Sequence, residues 1–110
     1  MKMYLDTSTP ETILKLDDKE YHWESGRDLA EKLHEFLRDK LAENGKTWRD
    51  IEEITFMSGP GSFTGLRIGA AVVNTLVSEL NISLYNHKGE KVPLTLPVYR
   101  PEANITAPRK

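Results

Sequence analysis

The residues best suited to chemistry lie in one run, Ser58-Gly59-Pro60-Gly61-Ser62-Phe63-Thr64-Gly65-Leu66-Arg67-Ile68-Gly69. Gly59 and Gly61 permit backbone conformations that a side chain would block, and Pro60 stiffens the loop. Ser62 stands where a helix N-cap belongs, so its hydroxyl can accept from an orphan backbone N–H. Exposed N–H groups at a turn of this kind hold anions. Gly61, Ser62 and Arg67 are therefore candidate contacts for an anion or a nucleotide. Two nucleotide motifs come close and neither fits. A P-loop needs Lys and then Ser or Thr after its last glycine, whereas Leu66 and Arg67 follow Gly65. A dinucleotide fingerprint needs G-x-G-x-x-G, whereas the glycines here stand at 59, 61 and 65. The competing reading is a tight turn that feeds a helix and binds nothing.

Other reactive side chains are scattered. His22, His34 and His87 fall on different expected elements, and no H-x-x-x-H spacing occurs. The Glu31/Glu35 and Glu52/Glu53 pairs read as solvated faces, not as acid/base pairs. Asp6, at the end of the first expected strand, reads as the cap of the Thr7-Ser8-Thr9 turn. No nucleophile–histidine–acid set is legible, and no catalytic or metal-binding residue is assigned. The chain has no cysteine, which excludes disulfides, thiolate catalysis and cysteine-bound zinc.

The elements that must position the glycine run follow from hydrophobic spacing. Met3–Thr7, Thr12–Leu16 and Glu20–Glu24 read as an antiparallel meander, with Tyr21 and Trp23 sharing a face of the third strand. A helix is expected over Arg27–Glu43, because Leu29, Leu33, Phe36, Leu37 and Leu41 recur at helical spacing; Asn44-Gly45 stops it. Thr47 caps a short helical turn. A fourth strand over Glu52–Ser58 leads into the glycine run, and a second helix spans Phe63–Leu80. A fifth strand follows over Asn81–Tyr85. The order β-β-β-α-β-α-β implies an α/β lobe with a mixed five-stranded sheet and two long helices, over residues 1–86. Residues 87–110, punctuated by Pro93, Pro97, Pro101 and Pro108, read as an extended tail.

On a helical wheel Leu66, Ala70, Val73, Val77 and Leu80 form one stripe, and Ile68, Val72 and Leu76 a neighbouring one. That apolar arc is wider than one sheet requires. Gly65 and Gly69, four apart, suggest a smooth strip where a second helix approaches closely. Either the helix is sandwiched within its own fold or part of the arc meets another molecule.

With 110 residues the chain fits one domain, too small for two lobes around a deep cleft. Fifteen basic and seventeen acidic residues give a net charge of −2, which argues against independent tight binding to nucleic acid. The N-terminal residues Met1-Lys2-Met3-Tyr4-Leu5-Asp6 meet an acid at once and are not expected to form a signal peptide; no apolar run approaches a membrane span. A cytoplasmic location is expected.

At the glycine run the sequence resembles the TsaB (YeaZ) family, and Tyr4-Leu5-Asp6-Thr7-Ser8-Thr9 resembles that family's first strand and turn. The likeness covers roughly residues 3–85, and Leu96-Pro97-Val98-Tyr99-Arg100-Pro101 resembles the tail that closes many members. The resemblance implies one lobe of the actin-like (ASKHA, ribonuclease H-like) fold, in a shortened form without the second lobe. It implies a non-catalytic partner in bacterial tRNA threonylcarbamoyladenosine (t6A) modification. Such a protein pairs with a TsaD-type subunit, which carries the transferase activity, and a TsaE-type ATPase joins them. Contact with tRNA would be indirect, and ADP or ATP would bind only at a subunit junction. The implied interface uses both long helices, with Leu33, Leu37, Leu41, Gly65, Ile68, Gly69, Val72 and Leu76 as its residues. One departure stands out: Ser25-Gly26-Arg27-Asp28 occupies the place where relatives begin the first helix with a histidine-serine pair. Two rival readings remain, a self-associating homodimeric binding protein and a nucleotide hydrolase or metalloprotease-like enzyme.

Overall fold

Alternation of apolar and polar residues sets the sheet. In a computed structural model, which describes residues 1–61 and 63–94, strand β1 (Lys2–Asp6) buries Met3 and Leu5 on one face. Strand β2 (Glu11–Leu16) buries Leu14 and Leu16 on that same face, in antiparallel register with β1. Asp17 turns the chain at φ 54° and accepts a hydrogen bond from the Lys2 N–H through Oδ1 at 2.9 Å. The turn delivers β3 (Lys19–Glu24), antiparallel to β2, and the expected meander is present.

A short 3-10 turn, Gly26–Asp28, leads into helix α1 (Leu29–Glu43). Leu29, Leu33, Leu37 and Leu41 form a buried stripe at every fourth residue. The helix ends as Asn44-Gly45 predicts. Gly45 takes φ 69°; its N–H reaches the Ala42 carbonyl at 3.0 Å, and the Lys46 N–H reaches that of Leu41 at 2.8 Å. Trp23 of β3 stacks on Phe36 of α1, with ring centroids 4.7 Å apart. The Asp50 carboxylate accepts from the Thr47 N–H at 2.8 Å, which closes the short turn Trp48–Asp50 and lowers the Asp50 pKa.

Strand β4 (Glu53–Phe56) lies parallel to β1, and helix α2 (Phe63–Leu80) carries the chain across to β5 (Ser83–Asn86), parallel to β4. The sheet order is β3-β2-β1-β4-β5-β6. The sixth strand, β6 (Lys91–Val92), pairs antiparallel with β5. Among the described residues the sheet therefore has six strands, not five, and it continues into the segment expected to be a tail. Two residues flanked by Lys88-Gly89-Glu90 and Pro93 carry too little periodicity to read as a strand. The rest of the expected tail, residues 95–110, lies outside the described residues.

Both helices lie on one face of the sheet, and the core fills the space between. Leu5, Leu14, Leu33, Leu37, Ile54, Phe56, Leu66 and Val73 are all 0% exposed. The two-layer arrangement leaves the opposite face carrying Tyr4, Ile13, Thr55 and Tyr85, all half-buried. Among the described residues no helix is long and apolar enough to cross a membrane.

Candidate functional site

Strands β1, β4 and β5 run parallel, so their carboxyl ends bring together the Asp6-Thr7-Ser8 turn, Ser58 and His87. Asp6 caps the turn, as its position predicts: Oδ1 accepts from the Ser8 N–H at 2.9 Å and from the Ser8 hydroxyl at 2.5 Å. The Tyr4 phenol, on the same strand, is pushed to a higher pKa by desolvation and by the Asp6 charge. Thr7 is fully buried, and its hydroxyl donates to the Gly65 carbonyl at 2.7 Å. That bond ties the first turn of α2 to the end of β1.

The glycine run is filled, not hollow. A Cβ on Gly61 would stand 2.6 Å from Ser8 Cβ and 2.8 Å from the Ser8 carbonyl oxygen. Glycine is needed there because the loop lies directly on the β1–β2 turn. Arg67 points elsewhere: it lines an outward cleft with Thr64, Ile68 and Ala71. Gly61 thus packs on Ser8, whereas Arg67 lines that outward cleft. Ser62 lies outside the described residues.

Gly69 also differs from expectation. A Cβ there would come within 2.7 Å of Phe56 Cε1 and would overlap the Thr7 hydroxyl. The Gly65/Gly69 strip therefore faces the protein's own sheet, where β1 and β4 pass close beneath α2. Leu33, Leu37 and Leu41 are likewise core residues, 0%, 0% and 1% exposed, so they are unavailable to a partner. Leu76, at 9%, is almost covered. The physical reason is common to all: a two-layer lobe needs one full stripe of each helix to cover the sheet.

What remains outward is the neighbouring stripe. Ile68 and Val72 are half-buried, while Thr64, Arg67, Ala71 and Thr75 are exposed. Three clefts follow one another along this stripe. The first, about 370 Å³, is lined by Thr9, Pro10, Arg27, Ala30, Thr64 and Ile68, among others. The second, about 270 Å³, is lined by Thr64, Arg67, Ile68 and Ala71. The third, about 250 Å³, is lined by His34, Ala71, Val72, Thr75 and Leu76. The His34 ring packs tilted against Trp48, with centroids 5.0 Å apart, and walls the third cleft from the α1 side. Small side chains between larger ones make these dents, as an approaching helix requires.

Two polar contacts were invisible in the sequence. The buried Ser58 hydroxyl lies 3.0 Å from His87 Nδ1, joining the ends of β4 and β5 across 29 residues. The serine is 5% exposed, and the pair ties the ends of the two strands together. Only the parallel pairing of β4 with β5 could have suggested it. His22 contacts Glu11 through Nδ1 at 3.2 Å and Glu20 through Nε2 at 2.5 Å. The Glu20 hydrogen bond and then the Glu11 hydrogen bond raise the His22 pKa, and the same contact lowers that of Glu20. Among the described residues no three His, Asp or Glu side chains converge as a metal site.

Comparison with known proteins agrees with this architecture. A family model described as "TsaD: tRNA N6-adenosine threonylcarbamoyltransferase" matches residues 16–87. Among solved structures, YeaZ from Pseudomonas aeruginosa superimposes with a TM-score of 0.68 at 31% identity, over 77% of this chain and 42% of that one. A second P. aeruginosa structure, described as an uncharacterized protein with similarity to peptidase YEAZ, gives 0.68 and 31%, over 77% of this chain and 41% of that one. This chain therefore spans about two-fifths of the proteins it resembles. The expected fold class, part of an actin-like lobe, is present, with its helices on one face of a mixed sheet. The chain belongs to the TsaD family, and its fold is that of YeaZ (TsaB).

Proposed function

We propose that the protein is a non-catalytic subunit of the t6A tRNA-modification machinery that docks a TsaD-type subunit through the outward stripe of α2 and the adjoining face of α1. The observation that carries this reading is the run of three clefts from Thr9 and Arg27 to Thr75 and Leu76, on the side of the helices that the sheet does not use. A helix packed there would lay its ridges into dents already formed. Family membership supports the t6A theme. Support for a non-catalytic role comes from Ser58, a buried hydroxyl engaged with His87, and from Asp6, whose carboxylate is engaged in capping its own turn. In this reading the interface comprises Ile68, Ala71, Val72 and Thr75, with Arg27 and Arg67 at one end, in place of the leucines of α1. A TsaE-type ATPase would join the pair, and tRNA would be reached through the complex. The test is co-elution of the purified chain with a TsaD-type subunit on size-exclusion chromatography. A heterodimer is expected, and separate elution at micromolar concentrations would refute the reading.

A further inference from the structure

Asn44-Gly45, the pair that closes α1, carries a chemistry of its own. Of the five asparagines in the chain, only Asn44 precedes glycine. Asn74, Asn81 and Asn104 precede the β-branched Thr75, Ile82 and Ile105, and Asn86 precedes His87. A side chain on the following residue hinders attack of that residue's backbone nitrogen on the asparagine amide, and glycine offers none. The space around Gly45 is open as well, since a Cβ there would meet nothing within 4 Å. Asparagine is among the thermolabile residues, and this is its most exposed setting in the chain.

The fold opposes the reaction at three points. The Gly45 N–H, which must lose its proton before the nitrogen can attack, donates to the Ala42 carbonyl at 3.0 Å. The Asn44 Nδ2, the leaving group, donates to the Lys40 carbonyl at 2.8 Å and to the Tyr21 hydroxyl at 2.9 Å. Both bonds hold the amide against the last turn of α1 and against β3. Ring closure also needs the Gly45 nitrogen and Asn44 Cβ nearly eclipsed about the Cα–C bond, and the Asn44 ψ of 10° keeps them far from it. These locks are local. Ala42, Glu43, Gly45 and Lys46 are exposed, and a helix end opens at less cost than the whole fold.

We infer that Asn44 is a self-modification site, an intramolecular deamidation gated by opening of the α1 C-terminus and coupled to the edge strand β3. In the opened end, hydroxide removes the Gly45 amide proton and the nitrogen bonds to Asn44 Cγ. The Cγ–Nδ2 bond breaks, and ammonia leaves after taking a proton from water, which restores the hydroxide. Water then opens the succinimide at either carbonyl. The products are aspartate at position 44 and its isoaspartyl isomer, in which the chain runs through the side-chain carboxyl. Both lack the Nδ2 donor. A carboxylate then faces the Lys40 carbonyl, and a new negative charge joins Glu43 at the negative end of the helix dipole.

The loss reaches β3 because, among the described residues, that strand pairs in the sheet only with β2. The Asn44 bond to Tyr21, the Lys40 ammonium over the Tyr21 ring and the Trp23–Phe36 stack fasten it to α1. Deamidation therefore loosens an edge strand, the part of a sheet most ready to pair with another chain. Asn44 lines none of the three clefts, so its chemistry does not depend on the docking proposed above.

The experiment incubates the full chain in mildly alkaline buffer, folded and in urea, and follows Asn44 by peptide mass spectrometry with isoaspartate detection. Tyr21→Phe, which removes one partner of Nδ2 and keeps the ring, is compared under both conditions. In urea Asn44 should convert fastest of the five asparagines, and in the folded protein about tenfold or more slower. Folded Tyr21→Phe should convert about threefold or more faster than folded wild type, with equal rates in urea. Hydrogen exchange reads the consequence: Asn44→Asp should speed exchange of the β3 amides that pair with β2 by about threefold or more. No conversion at Asn44 in urea, or equal rates in the folded and unfolded protein, would overturn the gated site. A folded Tyr21→Phe rate no faster than wild type, or unchanged β3 exchange in Asn44→Asp, would overturn its coupling to β3.

Discussion

Replacing Gly69 with alanine tests which way α2 faces. The added methyl would stand 2.7 Å from Cε1 and 2.9 Å from Cζ of Phe56, and it would overlap the Thr7 hydroxyl. Phe56 and Thr7 are both 0% exposed, so neither has free space to retreat into. Overpacking of this kind costs about 1–3 kcal/mol. Displacing Thr7 also breaks its 2.7 Å bond to the Gly65 carbonyl, which leaves buried polar groups unpaired at about 1–3 kcal/mol. Alanine recovers roughly 1 kcal/mol of helix propensity over glycine. The balance is a loss of about 1–5 kcal/mol, and the central value of about 3 kcal/mol lowers the melting midpoint of a domain this size by about 10 °C or more. Thermal unfolding followed by far-UV circular dichroism reads it directly. Ala71→Ser, two residues on but exposed, is the control and should stay within about 0.5 kcal/mol of wild type. A Gly69→Ala protein that melts at or above the wild-type temperature would show that Gly69 does not face the sheet, and the assignment of inward and outward stripes would fall.

Two further perturbations probe the same frame. Leu37→Ala should cost about 2–5 kcal/mol of stability in chemical denaturation, because Leu37 is fully buried; an unchanged denaturation midpoint would return it to the surface. The His22 contact with Glu20 and Glu11 should make stability depend on pH. A folded-state pKa raised above 6.5 means that the contribution is present below that value and fades as pH rises through the raised pKa. The depressed Glu20 pKa sets the lower limit, since protonating Glu20 also breaks the contact. The difference in melting midpoint between wild type and His22→Gln should therefore shrink from about pH 6 to about pH 9. A difference that stays flat across that range would exclude the linkage.

Much of the architecture was legible in the sequence because its signals are local. The leucine period of α1, the Asn44-Gly45 stop and the alternation in β1 and β2 each depend on residues a few positions apart. The direction of the glycines was not legible. Gly65 and Gly69 mark a close approach, but periodicity alone cannot say whether the neighbour is a second molecule or the protein's own β1 and β4. The answer lies in Thr7 and Phe56, 62 and 13 residues away in sequence from Gly69. Gly61 likewise marks a close approach whose neighbour, Ser8, is brought there by the end of β1, 53 residues away in sequence. The leucines of α1 are implied at a partner interface by the family resemblance, but their period alone cannot say which molecule they face. Which stripe covers the sheet depends on how the layer is rotated. The Ser58–His87 contact depends wholly on strand order, so no local signal could announce it.

Docking on the outward stripe of α2 is probed most directly by Ala71→Glu. Ala71 is exposed and lines two of the three clefts. Affinity for a TsaD-type subunit, measured by isothermal titration calorimetry beside the melting midpoint of each protein, gives the decisive comparison. Ala71→Glu is expected to keep its fold and lose affinity by about tenfold or more. Equal affinity of Ala71→Glu and wild type for that subunit, or no binding by either, would contradict it.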